Sequence, residues 1–283
     1  MALKIKLIAK LIKFEHTIFA LPFAYLGAVM AAGGVPAWRK VFWITLAMVG
    51  ARSAAMAWNR LVDWQIDAAN PRTSERILPQ NLLDKGEVVI FIILAVALLL
   101  ISAWQLNPLA FRLSPLALFF LIFYSYTKRF TWLCHLFLGL TIGLAPIGSW
   151  IGVTGEIALA ALILGLGVMF WVAGFDIIYA IQDYEFDKEY GLYSIPVKFG
   201  PAKALRIAVS FHIITFLALV GVGLYLQLSW LYAVGVIIVG VLLLVEHSLV
   251  KQDFEKIKFA FFNINSVVSI TVFVFSVLDY LLL

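Results

Sequence analysis

Long apolar runs alternate along this chain with short polar stretches, and most of the runs are bilayer length. At ~20 residues per crossing, the 283 residues accommodate about nine helical spans. They are expected near 16–34, 40–60, 87–105, 109–127, 133–151, 157–180, 205–226, 229–247 and 259–281. The fold class predicted is therefore an all-α integral membrane protein, one domain over 1–283. Residues 1–14 read as an amphipathic interfacial segment, with Leu7, Ile8, Leu11, Ile12 and Phe14 directed at lipid. Lys4, Lys6, Lys10 and Lys13 are spread through it with no cleavage site, so no removable signal peptide is expected. The longest polar stretches, 61–86 and 183–204, are expected to be functional loops.

Composition sharpens this picture. With 64% hydrophobic and only 13% charged residues, no separate soluble domain is visible. A net charge of +5 invites a nucleic-acid reading, but the distribution of charge argues against it. One set of span ends collects Lys4, Lys6, Lys10, Lys13, Arg60, Arg72, Arg76, Lys85, Lys128, Arg129, Lys188, Lys198, Lys203, Arg206, Lys251, Lys256 and Lys258. The opposite ends hold Arg39, Lys40 and Arg112, and Arg52 falls inside a span. The positive-inside rule makes the crowded side cytoplasmic, with the N-terminus in and the C-terminus out. The single Cys134 excludes an intramolecular disulfide.

Against this apolar background two acidic clusters stand out, Asn59-x3-Asp63-x3-Asp67 and Asp176-x2-Tyr179-x3-Asp183-x3-Asp187. Carboxylates beside bilayer segments are costly and mark function. Their spacing places each set on one face of a helix, and converging carboxylates suit Mg²⁺, which also takes phosphate oxygens. Arg72 and Arg76 follow the first cluster with guanidinium forks that match phosphate. Acid and base together fit a diphosphate with metal between. The plainer alternative, carboxylates paired with Arg60, Arg72 and Arg76 as a solvated helix cap, explains one cluster better than two matched ones. Both clusters end a span on the same side, a hint of internal duplication. His16, His135, His212 and His247 lack metal-ligand spacing and read as packing or interfacial residues. Glu246 reads as a snorkelling side chain, and Trp38, Trp104 and Trp150 as interface belt.

These motifs resemble the UbiA superfamily of intramembrane aromatic prenyltransferases. The likeness extends to His16-Thr17-Ile18-Phe19-Ala20-Leu21-Pro22, to Tyr124-Ser125-Tyr126-Thr127-Lys128-Arg129 and to Ser194-Ile195-Pro196-Val197-Lys198-Phe199-Gly200. Asn263 and Asn265 resemble the quinone-biosynthesis branch. The chain departs from the family pattern at Arg60, directly after Asn59, and at Arg76-Ile77-Leu78-Pro79, which lacks one proline. The resemblance implies helices around a central cavity and active-site loops on the cytoplasmic side. It implies Mg²⁺ held by Asn59, Asp63, Asp67, Asp183 and Asp187, the four aspartates being the catalytic carboxylates. Lys13, Arg72, Arg76, Tyr124 and Lys128 would contact the diphosphate, Arg52 and Ser149 the aromatic acceptor, and Asp176, Tyr179, Gln182 and Lys198 would support them. The reaction implied is transfer of a polyprenyl group from its diphosphate to a small aromatic ring, 4-hydroxybenzoate or a menaquinone-pathway equivalent. Phe120, Phe123, Tyr124, Tyr126 and Phe170 are candidates to face the allylic cation. The base that removes the ring proton stays open between Asp183, Asp187 and the diphosphate itself. Other superfamily branches would use haem, chlorophyllide or a glycerol-phosphate lipid, and a more distant reading is an ion-coupled transporter. The partners expected are polyprenyl diphosphate, the acceptor and membrane lipid, in a prokaryotic cytoplasmic membrane, without nucleic acid.

Overall fold

Capping chemistry sets where the helices begin. Asp84 accepts from the Gly86 N–H and Glu87 accepts from the Asp84 N–H, a reciprocal box that opens a 22-residue helix. Asn107 ends that helix and caps the next, accepting from the Ala110 N–H with Pro108 in the first turn. The computed structural model describes residues 2–13, 17–252, 257 and 260–282. Its helices are α1 (Ala2–Leu11), α2 (Thr17–Ala32), α3 (Trp38–Val62), α4 (Trp64–Ala69), α5 (Lys85–Leu106), α6 (Pro108–Thr127) and α7 (Cys134–Thr154). They continue as α8 (Leu159–Ala180), α9 (Tyr184–Tyr190), α10 (Ile195–Phe199), α11 (Pro201–Tyr225), α12 (Trp230–Gln252) and α13 (Asn265–Leu282). Among the described residues, eight helices are long and apolar enough to cross a membrane, and α2 is a shorter apolar one. The two long polar stretches are partly helical: α4 lies in the first, α9 and α10 in the second.

α8 is the central helix. It packs on α7 and on α11, while α3 packs on α5 and α2 on α7. Leu164, Val168, Trp171, Val172, Ile177 and Ile178 of α8 are almost completely buried. Outer residues such as Ile93 and Leu94 of α5 and Ile237 and Leu244 of α12 remain exposed, as lipid-facing positions do.

Three expectations are corrected here. Leu11 and Ile12 do not face lipid; they are buried with Ala57, Ile77 and Leu78, and Leu7 and Ile8 pack beside them. The N-terminal helix finds a protein surface for its apolar face, which satisfies it without the bilayer. Trp38 and Trp104 are exposed as belt residues are, but Trp150 is buried in the main core. Glu246 does not snorkel: it is fully buried, accepting from Asn265 Nδ2 (2.7 Å), and Asn265 Oδ1 accepts from Trp171 Nε1 (2.8 Å). His212 Nδ1 lies 3.7 Å from Glu246 and 3.0 Å from His247 Nε2, so this polar group joins α8, α11, α12 and α13. Phe14, His16, Lys256 and Lys258 lie outside the described residues.

The helix ends opposite the acidic clusters are stitched by hydrogen bonds. Lys40 Nζ donates to Leu106 O (2.9 Å) and Gly152 O (2.8 Å), and Asn107 Nδ2 donates to Ile151 O (2.7 Å). The Asp279 carboxylate of α13 accepts from the N–H groups of Ser229 and Tyr232, each at 3.0 Å, and from the Ser229 hydroxyl.

Candidate active site

Both acidic clusters lie where a spanning helix bends into a short one. α3 ends at Val62, Asp63 takes φ −90° and ψ 5°, and α4 begins at Trp64. The backbone ladder continues through the bend, with Asp63 N–H to Asn59 O (2.9 Å) and Asp67 N–H to Asp63 O (2.8 Å). α8 passes into a 3₁₀ turn at Ile181–Asp183, where Asp183 takes φ −101° and ψ 5°, before α9. The single helical stripe expected through Asp176, Tyr179, Asp183 and Asp187 is therefore interrupted at Asp183. The tighter turn re-aims the carboxylates beyond it.

Each cluster meets cations from elsewhere in the chain. Asp63, 2% exposed, lies between Lys128 Nζ and Arg129 Nη2, both at 2.7 Å, and accepts from Asn59 Nδ2 at 3.1 Å. Asp67 Oδ1 accepts from Arg76 Nη1 at 2.6 Å. Arg72 forks onto Asp183, with Nε 2.7 Å from Oδ1 and Nη2 on Oδ2, while its Nη1 donates to the Tyr179 hydroxyl at 2.9 Å. Asn70 Nδ2 adds a bond to Asp183 Oδ1 at 3.0 Å. Burial pulls the Arg72 guanidinium down, but the bonds to Asp183 and Tyr179 outweigh it and hold it above its ordinary value. The pairing of acid with arginine that a simple helix cap predicts is thus present. A cap does not explain why the pairs converge from α3, α4, α6, α8 and the loop between α4 and α5 onto one space.

That space is a cavity of 1230 Å³. The acids and bases line one end of it, and Ile44, Met48, Leu99, Leu113 and Ile147 line the apolar remainder. Such a shape suits a molecule with a polyanionic head and a long apolar tail. Asp67 Oδ2 is buried with no hydrogen-bond partner, and Arg60 Nη1 stands 3.8 Å from it. An orphaned carboxylate oxygen, in a site whose candidate ligands all offer oxygen, fits a hard cation. Among the described residues, no three carboxylate, histidine or cysteine side chains form a metal cage alone. The set therefore fits Mg²⁺ in its usual manner, one or two carboxylates with phosphate oxygens completing the shell.

Most of the residues singled out in the sequence line this cavity: Lys13, Arg52, Asn59, Asp63, Asp67, Arg72, Arg76, Tyr124, Lys128, Ser149, Asp176, Tyr179, Asp183 and Asp187. Gln182 and Lys198 do not. Gln182 Nε2 donates to Tyr179 O (3.2 Å), and Lys198 Nζ stands 4.0 Å over the Trp132 ring. Arg52 is braced by the chain's own start, donating to Ile12 O (3.3 Å) and Lys13 O (3.2 Å). Tyr124 donates to Ala55 O (3.3 Å), and Ser149 to Pro146 O (3.0 Å). Of the aromatic residues proposed to face a cation, only Tyr124 reaches the cavity. Phe123 packs among Phe119, Phe130 and Phe137, and Phe170 against Phe211. The other aromatic residues of the lining are Trp171, Phe175, Tyr179, Phe186, Tyr193 and Phe262.

Several site residues escape the sequence reading. Arg129 stands beside Lys128 and looks like a second topological charge, yet its guanidinium holds Asp63 and Val62 O (3.0 Å). Asn70 precedes Pro71 as an ordinary turn residue would. His135 reads as a packing histidine; it is buried, but in the cavity wall with Nδ1 2.7 Å from Asp176 Oδ2. No local spacing signals that pair, which the packing of α7 on α8 creates.

Residues 20–267 match the profile of the UbiA prenyltransferase family. The 4-hydroxybenzoate octaprenyltransferase of Vibrio parahaemolyticus is 31% identical over 241 residues, 84% of each chain. That of Methylobacillus flagellatus is 30% identical over 249 residues, covering 88% of this chain and 83% of its own. The apo structure of a UbiA homologue from Aeropyrum pernix K1 matches with a TM-score of 0.87 at 32% identity, over 94% of this chain and 98% of that one. A homologue from Archaeoglobus fulgidus, solved bound to GPP and Mg²⁺, shares the fold with a TM-score of 0.73 at 21% identity, over 95% and 99%.

Proposed function

The chain belongs to the UbiA prenyltransferase family, and on that premise we propose that it transfers a polyprenyl group from a polyprenyl diphosphate to a small aromatic acid. The acceptor we favour is 4-hydroxybenzoate or an equivalent quinone precursor, in keeping with the names of its relatives. One observation carries the reading: acid and base converge at one end of a cavity whose remainder is apolar. A polyprenyl diphosphate has that polarity.

Asn59, Asp63, Asp67, Asp183 and Asp187 would hold Mg²⁺. The ion, when bound, supplies positive charge against the departing diphosphate. Arg72, Arg76, Lys128 and Lys13 add fixed charge at the same end, and Tyr124 a hydroxyl, so negative charge on the leaving group is met by groups already in place. The apolar wall keeps water from the allylic centre, and Tyr179 and Phe186, partly exposed in the cavity lining, are the rings that would face its positive charge. Arg52 is the residue assigned to the acceptor's carboxylate, with Ser149 deeper along the wall. We place the charged end at the cytoplasmic face of a prokaryotic inner membrane, from the lysines and arginines gathered there.

The test is direct. Purified protein with Mg²⁺, farnesyl or octaprenyl diphosphate and radiolabelled 4-hydroxybenzoate is expected to give a prenylated acid and free diphosphate. A product formed with a glycerol-phosphate lipid and with no aromatic acid would move the acceptor to another class. No transfer to any acceptor would overturn the proposal.

A further inference from the structure

The reaction just proposed needs somewhere for a proton to go, because the ring carbon that gains the prenyl group must lose its hydrogen. Two carboxylates of the charged end, Asp183 and Asp63, are poorly placed to take it. Both oxygens of Asp183 are held by Arg72, and both oxygens of Asp63 by Lys128 and Arg129. Asp187 lines the same cavity one helical turn, ~6 Å, beyond Asp183, further from its apolar part.

Asp176 differs in depth and in its partner. It lies seven residues before Asp183 on the same helical path, roughly 10 Å deeper into the cavity. A ring behind the diphosphate would meet the wall at that depth. Tyr179 is the partly exposed ring on this stretch of wall, backed by the buried Trp171 and Phe175, and gives a flat face for an aromatic acceptor. The partner of Asp176 is a histidine, not an arginine or lysine. His135 Nδ1 lies 2.7 Å from Asp176 Oδ2, and His135 Nε2 accepts from the Ile195 N–H at 3.3 Å. A ring nitrogen that accepts carries no proton, so the proton of the neutral imidazole is on Nδ1 and is donated to Asp176. The histidine is thereby fixed from both sides, 2% exposed, with its tautomer set by a backbone amide. Asp176 Oδ1 accepts no hydrogen bond from a described residue and its side chain is 25% exposed in the cavity wall.

We infer that Asp176, oriented by His135, is the catalytic base that receives the proton from the acceptor ring. The inference rests on the prenyltransferase reading above. The donor's allylic C–O bond breaks and its electron pair leaves with the diphosphate. A ring π pair forms the new C–C bond, the C–H pair returns to the ring, and the proton passes to Asp176 Oδ1. His135 is a positioning residue: its Nδ1–H holds the other oxygen so that Oδ1 faces the ring.

The experiment compares Asp176→Asn and His135→Phe with the wild type, using acceptor deuterated at the reacting ring carbon. In Asp176→Asn, kcat for prenylated product is expected to fall ~100-fold or more. Donor KM should be unchanged, as should the thermal shift given by farnesyl diphosphate plus Mg²⁺. A primary isotope effect on kcat, absent in the wild type, should appear, because proton loss has become the slow step. His135→Phe should give a smaller loss with the same isotope signature, and it serves as the decisive variant if Asp176→Asn does not fold. Wild-type kcat in Asp176→Asn, or a loss that follows donor KM without an isotope effect in either variant, would overturn the assignment while leaving the prenyltransferase reading intact. A wild-type protein silent with every aromatic acceptor would overturn both.

Discussion

Arg72 spends its guanidinium on two partners at once, holding both oxygens of Asp183 and the hydroxyl of Tyr179. A lysine has one point charge and cannot reproduce that fork. Arg72→Lys is expected to lower kcat/KM for the prenyl donor by ~10- to 100-fold with little change in acceptor KM, measured by steady-state kinetics in detergent. Asp63→Ala and Asp183→Ala should each cost ~100- to 1000-fold in kcat while gel filtration and circular dichroism stay native. Wild-type turnover in either would remove that carboxylate from the metal-binding set. At this scale the sequence is legible where chemistry repeats at helical spacing, as in Asn59-x3-Asp63-x3-Asp67. It is silent where a single residue gains its role from a distant partner. Arg129 and His135 become site residues only because folding brings Asp63 and Asp176 to them.

Between elements, the pairing of α7 with α8 matters most, since it sets His135 against Asp176. Gly139 and Gly143 are four residues apart on α7, and a methyl group built on them would lie 2.2 Å from Met169 O and 2.5 Å from Gly165 O of α8. The backbones approach too closely for any side chain, the close-packed device of membrane helices. Gly143→Val should therefore separate the pair and destabilise the fold by ~1–3 kcal/mol, read as a lower melting temperature in detergent. A melting temperature equal to the wild type would mean that the interface absorbs the added bulk. Spans are easy to read from the sequence because lipid demands ~20 apolar residues wherever a helix crosses. The bends at Asp63 and Ile181–Asp183 are not, since their residues carry a helical pattern straight through.

At the scale of the molecule, the charged end is assembled across the chain: Asp183 after α8 is held by Arg72 from the loop after α4, and Asp63 after α3 by Lys128 and Arg129 after α6. Removing divalent metal with a chelator should abolish transfer and leave the helical signal unchanged, with activity returning on added Mg²⁺. Activity that survives exhaustive chelation would sink the metal assignment. Deleting residues 2–11 should impair more than membrane attachment, because Leu11 packs on the site-bearing part of the fold and the adjoining Ile12 and Lys13 carbonyls brace Arg52. The expected result is a raised acceptor KM with the protein still in the membrane fraction; an unchanged acceptor KM would reduce the segment to an anchor.

The stitching by Lys40, Asn107 and Asp279 has a mechanical consequence. Those bonds clamp the helix ends on one side of the bundle to backbone atoms, which have no competing ligand to bind. On the other side several of the ties are ion pairs whose members a diphosphate and a cation can claim. A bundle fixed at one end and partly held by exchangeable ties at the other is expected to yield first at the charged end, like tweezers. Substrate would spread the jaws at the charged end while the hinge at the stitched end stays still. Amide exchange should then be slow and unaffected by ligand around Leu106 and Gly152, and change on donor binding around Asp67 and Asp183.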